Sequence, residues 1–133
     1  MLMARVASYI AANYPSRIRM ADLALHVNVS TRTLQNLFRL HCGEPPLNAL
    51  RRFRLHKLHA ALQQRPWSPL RIHFDRCGLT GSIADRDLFL SMFGVTIREY
   101  QHACRHSRSA AVAVMPPLRE ARAELQHFLL PSA

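Results

Sequence analysis

Apolar residues recur every three or four positions along this 133-residue chain, and nowhere do they alternate in the two-residue rhythm of a half-buried strand. Proline and glycine cut the pattern into short pieces, so the chain reads as all-helical. The first helix is expected over Leu2–Asn13, with Met3, Val6, Ala7, Ile10 and Tyr14 on one face, and Pro15-Ser16 ends it. A short helix near Met20–Val27 turns Leu23, Ala24 and Val27 inward. After the turn Asn28-Val29-Ser30, a third helix runs from Thr31 to Cys42 and stops at Gly43. Ser30 is placed to cap it, because a serine hydroxyl can accept one of the orphan N–H groups of a first turn.

Pro45-Pro46 opens a long helix that reaches Gln64. Leu47, Leu50, Leu55, Leu58 and Leu62, widened by Phe53, form its apolar side, with Arg51, Arg52, Arg54 and Lys57 among them. Pro66-Trp67-Ser68-Pro69 interrupts, and Trp67 is expected to plug the gap between the two halves of the chain. Further helices are expected over Pro69–Cys77, Ser82–Phe93 and Arg98–Arg105, punctuated by Gly78, the turn Leu79-Thr80-Gly81, and Gly94. Residues 106–117 read as linker. A C-terminal helix, Leu118–Leu130, carries Leu118, Ala121, Leu125, Phe128 and Leu129 on one face, for docking, self-association or packing on the body.

Eighteen Lys plus Arg face eight Asp plus Glu, a formal charge of +10, and Lys57 is the only lysine. A field of this sign favours a polyanion, either nucleic acid or an anionic surface. No run approaches the roughly 20 apolar residues that cross a bilayer, so no membrane partner is expected. Met1-Leu2-Met3-Ala4-Arg5 has no basic region followed by a long apolar one, so secretion is not indicated. Cys42, Cys77 and Cys104 are odd in number and widely spaced, which fits a reducing cytoplasm better than a disulfide framework. His56 and His59, and the group His102, Cys104 and His106, do not make a four-ligand set with zinc-like spacing. No phosphate loop or catalytic constellation stands out, so neither a metal, a cofactor nor an enzyme is expected. Exposed histidines would add positive charge below about pH 6.5.

The segment Met20–Phe38 is helix, tight turn, helix: small Ala24 at the crossing, Val29 plugging the turn, and Leu34, Leu37 and Phe38 buried. That assignment leaves Arg32, Thr33, Gln35, Asn36 and Arg39 facing out. Arg pairs bidentately with guanine, and Gln or Asn with adenine, in the major groove. Thr31 and Arg39 are better placed for phosphates. The order repeats from Pro69 to Tyr100. A joining helix of about 18 residues at about 1.5 Å each spans roughly 27 Å, against about 34 Å between successive major grooves on one side of a duplex.

The stretch from Leu2 to about Arg105 resembles the DNA-binding domain of the AraC/XylS family of bacterial regulators. The resemblance is carried by Ala21-Asp22-Leu23-Ala24, Val29 to Phe38, Arg54-Leu55 and Leu62, Arg76-Cys77-Gly78-Leu79, and Met92 to Tyr100. It implies seven helices in two helix-turn-helix units joined by a long helix. These are residues 1–105, with a first unit of about 2–43, a linker helix of about 45–64, and a second unit of about 69–105. It also implies promoter binding by a nucleoid-associated protein, contact with RNA polymerase, and bases read by Arg32, Gln35 and Asn36 in the first unit. In the second unit the corresponding positions are Ser82, Ile83, Arg86 and Asp87.

The chain departs from the pattern there. Asp87 stands where an arginine is common, Asp85 where a buried aromatic or aliphatic is usual, Phe74 where a small alanine is usual, and His73 where an aliphatic is usual. An unpaired buried carboxylate is costly. A capping box, with Ser82 capping and Asp85 reaching back to the helix start, would relieve it. The expectation is a first unit that reads bases, and a second that contributes stability, phosphate contacts or a protein contact. The alternative is a protein-interaction module with a degenerate second helix-turn-helix. The oligomeric state is open.

Overall fold

The computed structural model describes residues 2–107. The expected helix over Leu118–Leu130 and most of its linker lie outside these residues. The described residues form seven helices and no strand: α1 (Leu2–Asn13), α2 (Met20–His26), α3 (Thr31–Cys42), α4 (Pro46–Gln64), α5 (Leu70–Cys77), α6 (Ile83–Phe93) and α7 (Ile97–Arg105). The punctuation in the sequence sets these ends. Gly43, Gly78 and Gly94 close α3, α5 and α6 in the left-handed conformation, with φ of 70°, 73° and 76°, which costs a residue without Cβ nothing. Ser30, Ser82 and Thr96 cap α3, α6 and α7, each side chain accepting a backbone N–H three residues on. Thr96 and Glu99 complete a capping box.

Two compact units divide between Phe53 and Arg54, inside α4. The first buries Val6, Ile10, Leu23, Ala24, Leu34 and Phe38, closed by Ala49, Leu50 and Phe53 from the start of α4. The second buries Leu55, Leu58 and Leu62 from the rest of α4 against Phe74, Cys77, Phe89, Ile97 and Cys104. Leu47 was expected on the apolar side of α4 but is 61% exposed. It lies in the first turn of the helix, where Ala49 and Leu50 face the core.

Trp67 is 71% exposed and does not serve as a buried plug. The loop around it is fastened from within its own unit. Buried His73, through Nε2, lies 2.8 Å from the Arg65 carbonyl, which makes Nε2 the donor. Buried Gln101 donates to the carbonyls of Pro66 and Ser68 at 3.3 and 3.0 Å. Arg105 Nε donates to the Pro66 carbonyl at 2.8 Å, and its guanidinium lies 5.2 Å from the Trp67 ring centroid.

Burial lowers the pKa of His73; the bond to the Arg65 carbonyl opposes this, and the Arg76, Arg65 and Arg105 charges add to it. Burial, then His56, also lowers that of His59, whose ring stacks between Phe93 and Tyr100 at 4.3 and 4.2 Å. Both histidines are therefore neutral in the fold where the unfolded chain already binds a proton. Below pH 6.5, their ordinary pKa, the unfolded state holds more protons, so stability falls as pH drops. Thermal unfolding of the whole chain is expected to show a Tm that is level above that value and declines below it. His73→Gln, which keeps a donor but does not titrate, should flatten the decline. An equally steep decline in that variant would remove His73 from the account.

Candidate nucleic-acid interface

On α3, Leu34 and Phe38 stand four residues apart and are both 0% exposed, with Leu37 half-buried between them. This pins one face of the helix to the core. The turn before it is held by the Val29 N–H, which donates to the Ala24 carbonyl at 3.0 Å, and by Asn28 at φ 59°. Asn tolerates that left-handed geometry better than most residues. Val29 is half-buried and packs against the core. Ser30 Oγ accepts the Thr33 N–H at 3.1 Å and donates to Thr33 Oγ1 at 2.9 Å, so the first turn is locked. Thr31, Arg32, Thr33, Gln35, Asn36 and Arg39 are all exposed on this helix. The acids of the described part of this unit, Asp22 and Glu44, lie elsewhere, and Glu44 pairs with Arg52 at 3.5 Å. The result is a rigid surface of two guanidiniums, two amides and two hydroxyls, free of carboxylate, that runs from the first turn of α3 to Arg39 in its last.

The second unit repeats the order but not the chemistry. Ser82, Ile83, Ala84, Asp87, Leu90 and Ser91 are exposed on and before α6, and Ile83 is 79% exposed. Arg86, expected to face out, is half-buried. Its Nε donates to the Gly81 carbonyl at 2.9 Å and its guanidinium lies 5.5 Å from the Phe74 ring centroid. The helix thus presents an apolar and acidic face, with its one arginine folded back on the preceding turn.

Asp85 is 4% exposed but has partners. Its Oδ2 accepts the Gly81 N–H at 3.2 Å, with the Thr80 hydroxyl at 3.4 Å, and its charge acts on half-buried Arg54 of α4. Ser82 Oγ accepts the Asp85 N–H at 3.2 Å. The anticipated reciprocal box is therefore shifted by one residue: the carboxylate reaches Gly81 rather than Ser82. Phe74 explains why residue 81 is a glycine. Its ring lies under the turn, and a Cβ on Gly81 would come within 2.6 Å of it. At φ 73° that glycine accepts the strained turn and the close ring together. The ring at 74 and the carboxylate at 85 thus both meet the turn at Gly81. The sequence reading missed Arg54 as the cation facing Asp85. Its signal was there, since Arg54 adjoins Leu55 and precedes Leu58 by one turn.

Among the described residues, no group of three or more His, Cys, Asp or Glu could hold a metal ion. No described helix is long and apolar enough to cross a membrane. Burial raises the thiol pKa of Cys42 and Cys77 to about 11, Glu44 adding to the rise at Cys42 and Lys57 opposing it at Cys77.

Two helix-turn-helix units, each with a capped second helix, define a double helix-turn-helix domain. A helix-turn-helix domain family matches residues 23–103 of the chain. The fold is similar to a transcriptional regulator with an AraC-type DNA-binding domain from Chromobacterium violaceum. That likeness has a TM-score of 0.69 at 24% identity, covering 77% of this chain and 91% of the other. It is also similar to the DNA-binding domain of the global transcriptional factor AdpA, solved in complex with a target DNA. There the TM-score is 0.69 at 24% identity, covering 80% and 96% of the two chains. No curated protein sequence matches. The chain belongs to the AraC/XylS family of helix-turn-helix DNA-binding transcription regulators, a family of regulators rather than enzymes.

Coupling of Phe74 and Asp85 at the Gly81 turn is testable by a double-mutant cycle. Phe74→Ala should cost about 3–5 kcal/mol by leaving a cavity. Asp85→Phe should also destabilise, because it overfills the site and strips the Gly81 N–H of its acceptor. The double variant should be more stable than the summed losses predict by about 1 kcal/mol or more, read by denaturant unfolding. Simple additivity would mean that the two side chains do not share the space.

Proposed function

We propose that α3 enters the major groove of promoter DNA and reads bases through Arg32, Gln35 and Asn36, while Thr31, Thr33 and Arg39 hold phosphates. The observation that carries this reading is the outward face of α3: every one of these residues is exposed on a helix whose start is locked by Ser30 and whose back is fixed by Leu34 and Phe38. Rigid donors on a helix are what bidentate pairing to guanine and adenine requires. The excess of arginine supplies docking that depends on phosphate charge and not on sequence.

In the second unit, Ser82 and Ile83 stand at the groove-facing start of α6 and contribute little affinity. Asp87 repels phosphate, and Arg86 serves the turn before it serves DNA. Sequence preference is therefore concentrated in the half-site read by the first unit. A cytoplasmic, nucleoid-associated location and RNA polymerase as a further partner belong to the same reading.

Selection of bound duplexes from a random pool tests this with the wild type, Arg32→Ala and Arg86→Ala. Arg32→Ala should cost about 1–3 kcal/mol of binding and relax one base pair of the selected site. Arg86→Ala should leave the selected sequence unchanged and affinity within a few-fold. The reverse pattern would transfer reading to the second unit. Affinity of the wild type should fall steeply with salt, in proportion to the phosphates neutralised. A flat salt response would count against DNA as the ligand.

A further inference from the structure

The loop carrying Trp67 is tied through its backbone carbonyls by side chains of α5 and α7. Burying an imidazole and an amide is unfavourable unless both are hydrogen-bonded. His73, 1% exposed, and Gln101, 6% exposed, both direct their ring or amide nitrogen at carbonyls of residues 65–68. Arg105 adds a third tie.

What these bonds hold in place is not a core residue. Trp67 stays 71% exposed, so it contributes little burial to the unit that fixes it. Arg105 lies over its ring, Arg65 stands two residues before it in the chain, and the charges of Arg76, Arg65 and Arg105 all bear on His73. Arg65 and Arg76 are exposed. A fixed tryptophan set among arginines has the composition of a protein-binding hot spot, and its rigidity removes an ordering cost on association.

We propose that the Trp67 loop, with Arg65, Arg76 and Arg105, is a docking surface for an acidic polypeptide segment that interleaves carboxylates with apolar side chains. The carboxylates pair with the guanidiniums, and an apolar side chain packs on the ring face that Arg105 leaves open. Duplex DNA fits this surface less well. Its exterior offers phosphates to arginine but no apolar group to an indole, and its base faces are stacked inside. None of these residues belongs to α3 or α6, so the proposal does not draw on the residues proposed to read DNA.

Trp67 is the only tryptophan, so its fluorescence reports this loop alone. The full chain is titrated with three probes: a short peptide alternating Glu and Leu, its Gln and Leu counterpart, and a duplex of random sequence. The Glu and Leu peptide should give a saturable shift of the Trp67 emission, weakened roughly tenfold or more in Arg105→Gln and in Arg65→Gln. The neutral peptide should bind at least as weakly as those variants. Arg65→Gln serves as the second variant because the Arg65 carbonyl and not its side chain takes part in fastening the loop. Circular dichroism checks that both variants remain folded. No shift with the acidic peptide, or equal shifts with the two peptides, would overturn the proposal. A shift with duplex DNA that is lost in Arg65→Gln would also overturn it and assign the patch to nucleic acid.

Discussion

The outward face of α3 exists because its inward face is buried. Leu34 and Phe38 drop into the space between α1, α2 and the start of α4, and each fully buried side chain contributes about 1.5–3 kcal/mol. The helix repeats every 3.6 residues, so fixing those two positions fixes the azimuth of all the others. A rotation of one residue would put Gln35 into the core and Leu34 into solvent. The four-residue turn from Val27 to Ser30 allows no such slack, since the Val29 N–H is tied to the Ala24 carbonyl and Ser30 is tied to Thr33. The outward polar groups of α3 are thus oriented by apolar contacts on the far side of the helix.

The second unit solves the same packing problem with different atoms. A ring at 74 under Gly81 occupies space beneath the turn, and the side chain at 85 is a carboxylate that bridges back to that turn. A buried polar network of this kind is stable only when each member is satisfied. Here Gly81, Thr80 and Arg54 supply donors or charge to Asp85, and Gly81 in turn accepts from Arg86. The consequence reaches the surface. Arg86 is drawn into the turn, and Ile83, Asp87 and Leu90 remain on the outer face of α6. Two units of like order therefore carry unlike faces. The first is cationic and rich in amides, the second apolar and acidic. This asymmetry is why the proposed base reading falls on one unit and not on both.

Much of the fold was legible because its determinants are local. Apolar spacing marked seven helices, and Ser30, Gly43, Gly78, Ser82 and Gly94 marked their ends, because capping and left-handed turns depend on residue types only a few positions apart. The face of α3 was legible for the same reason, as periodicity in one helix decides which side is buried. Trp67 was misjudged. A large aromatic beside two prolines reads as filler, and its exposure depends on His73, Gln101 and Arg105 fastening the loop carbonyls from up to 39 residues away. Leu47 was misjudged because the start of α4 presents Ala49 and Leu50 to the core instead.

By itself the sequence determined the helical class, the element order, the family likeness and the polar set carried by α3. All of these follow from short-range periodicity and residue type. Tertiary structure alone decided the partner of Asp85, the inward turn of Arg86, the space shared by Phe74 and Gly81, and the fixed exposure of Trp67. Each joins side chains to groups on other segments, and only the packed chain brings those atoms within hydrogen-bonding or van der Waals distance.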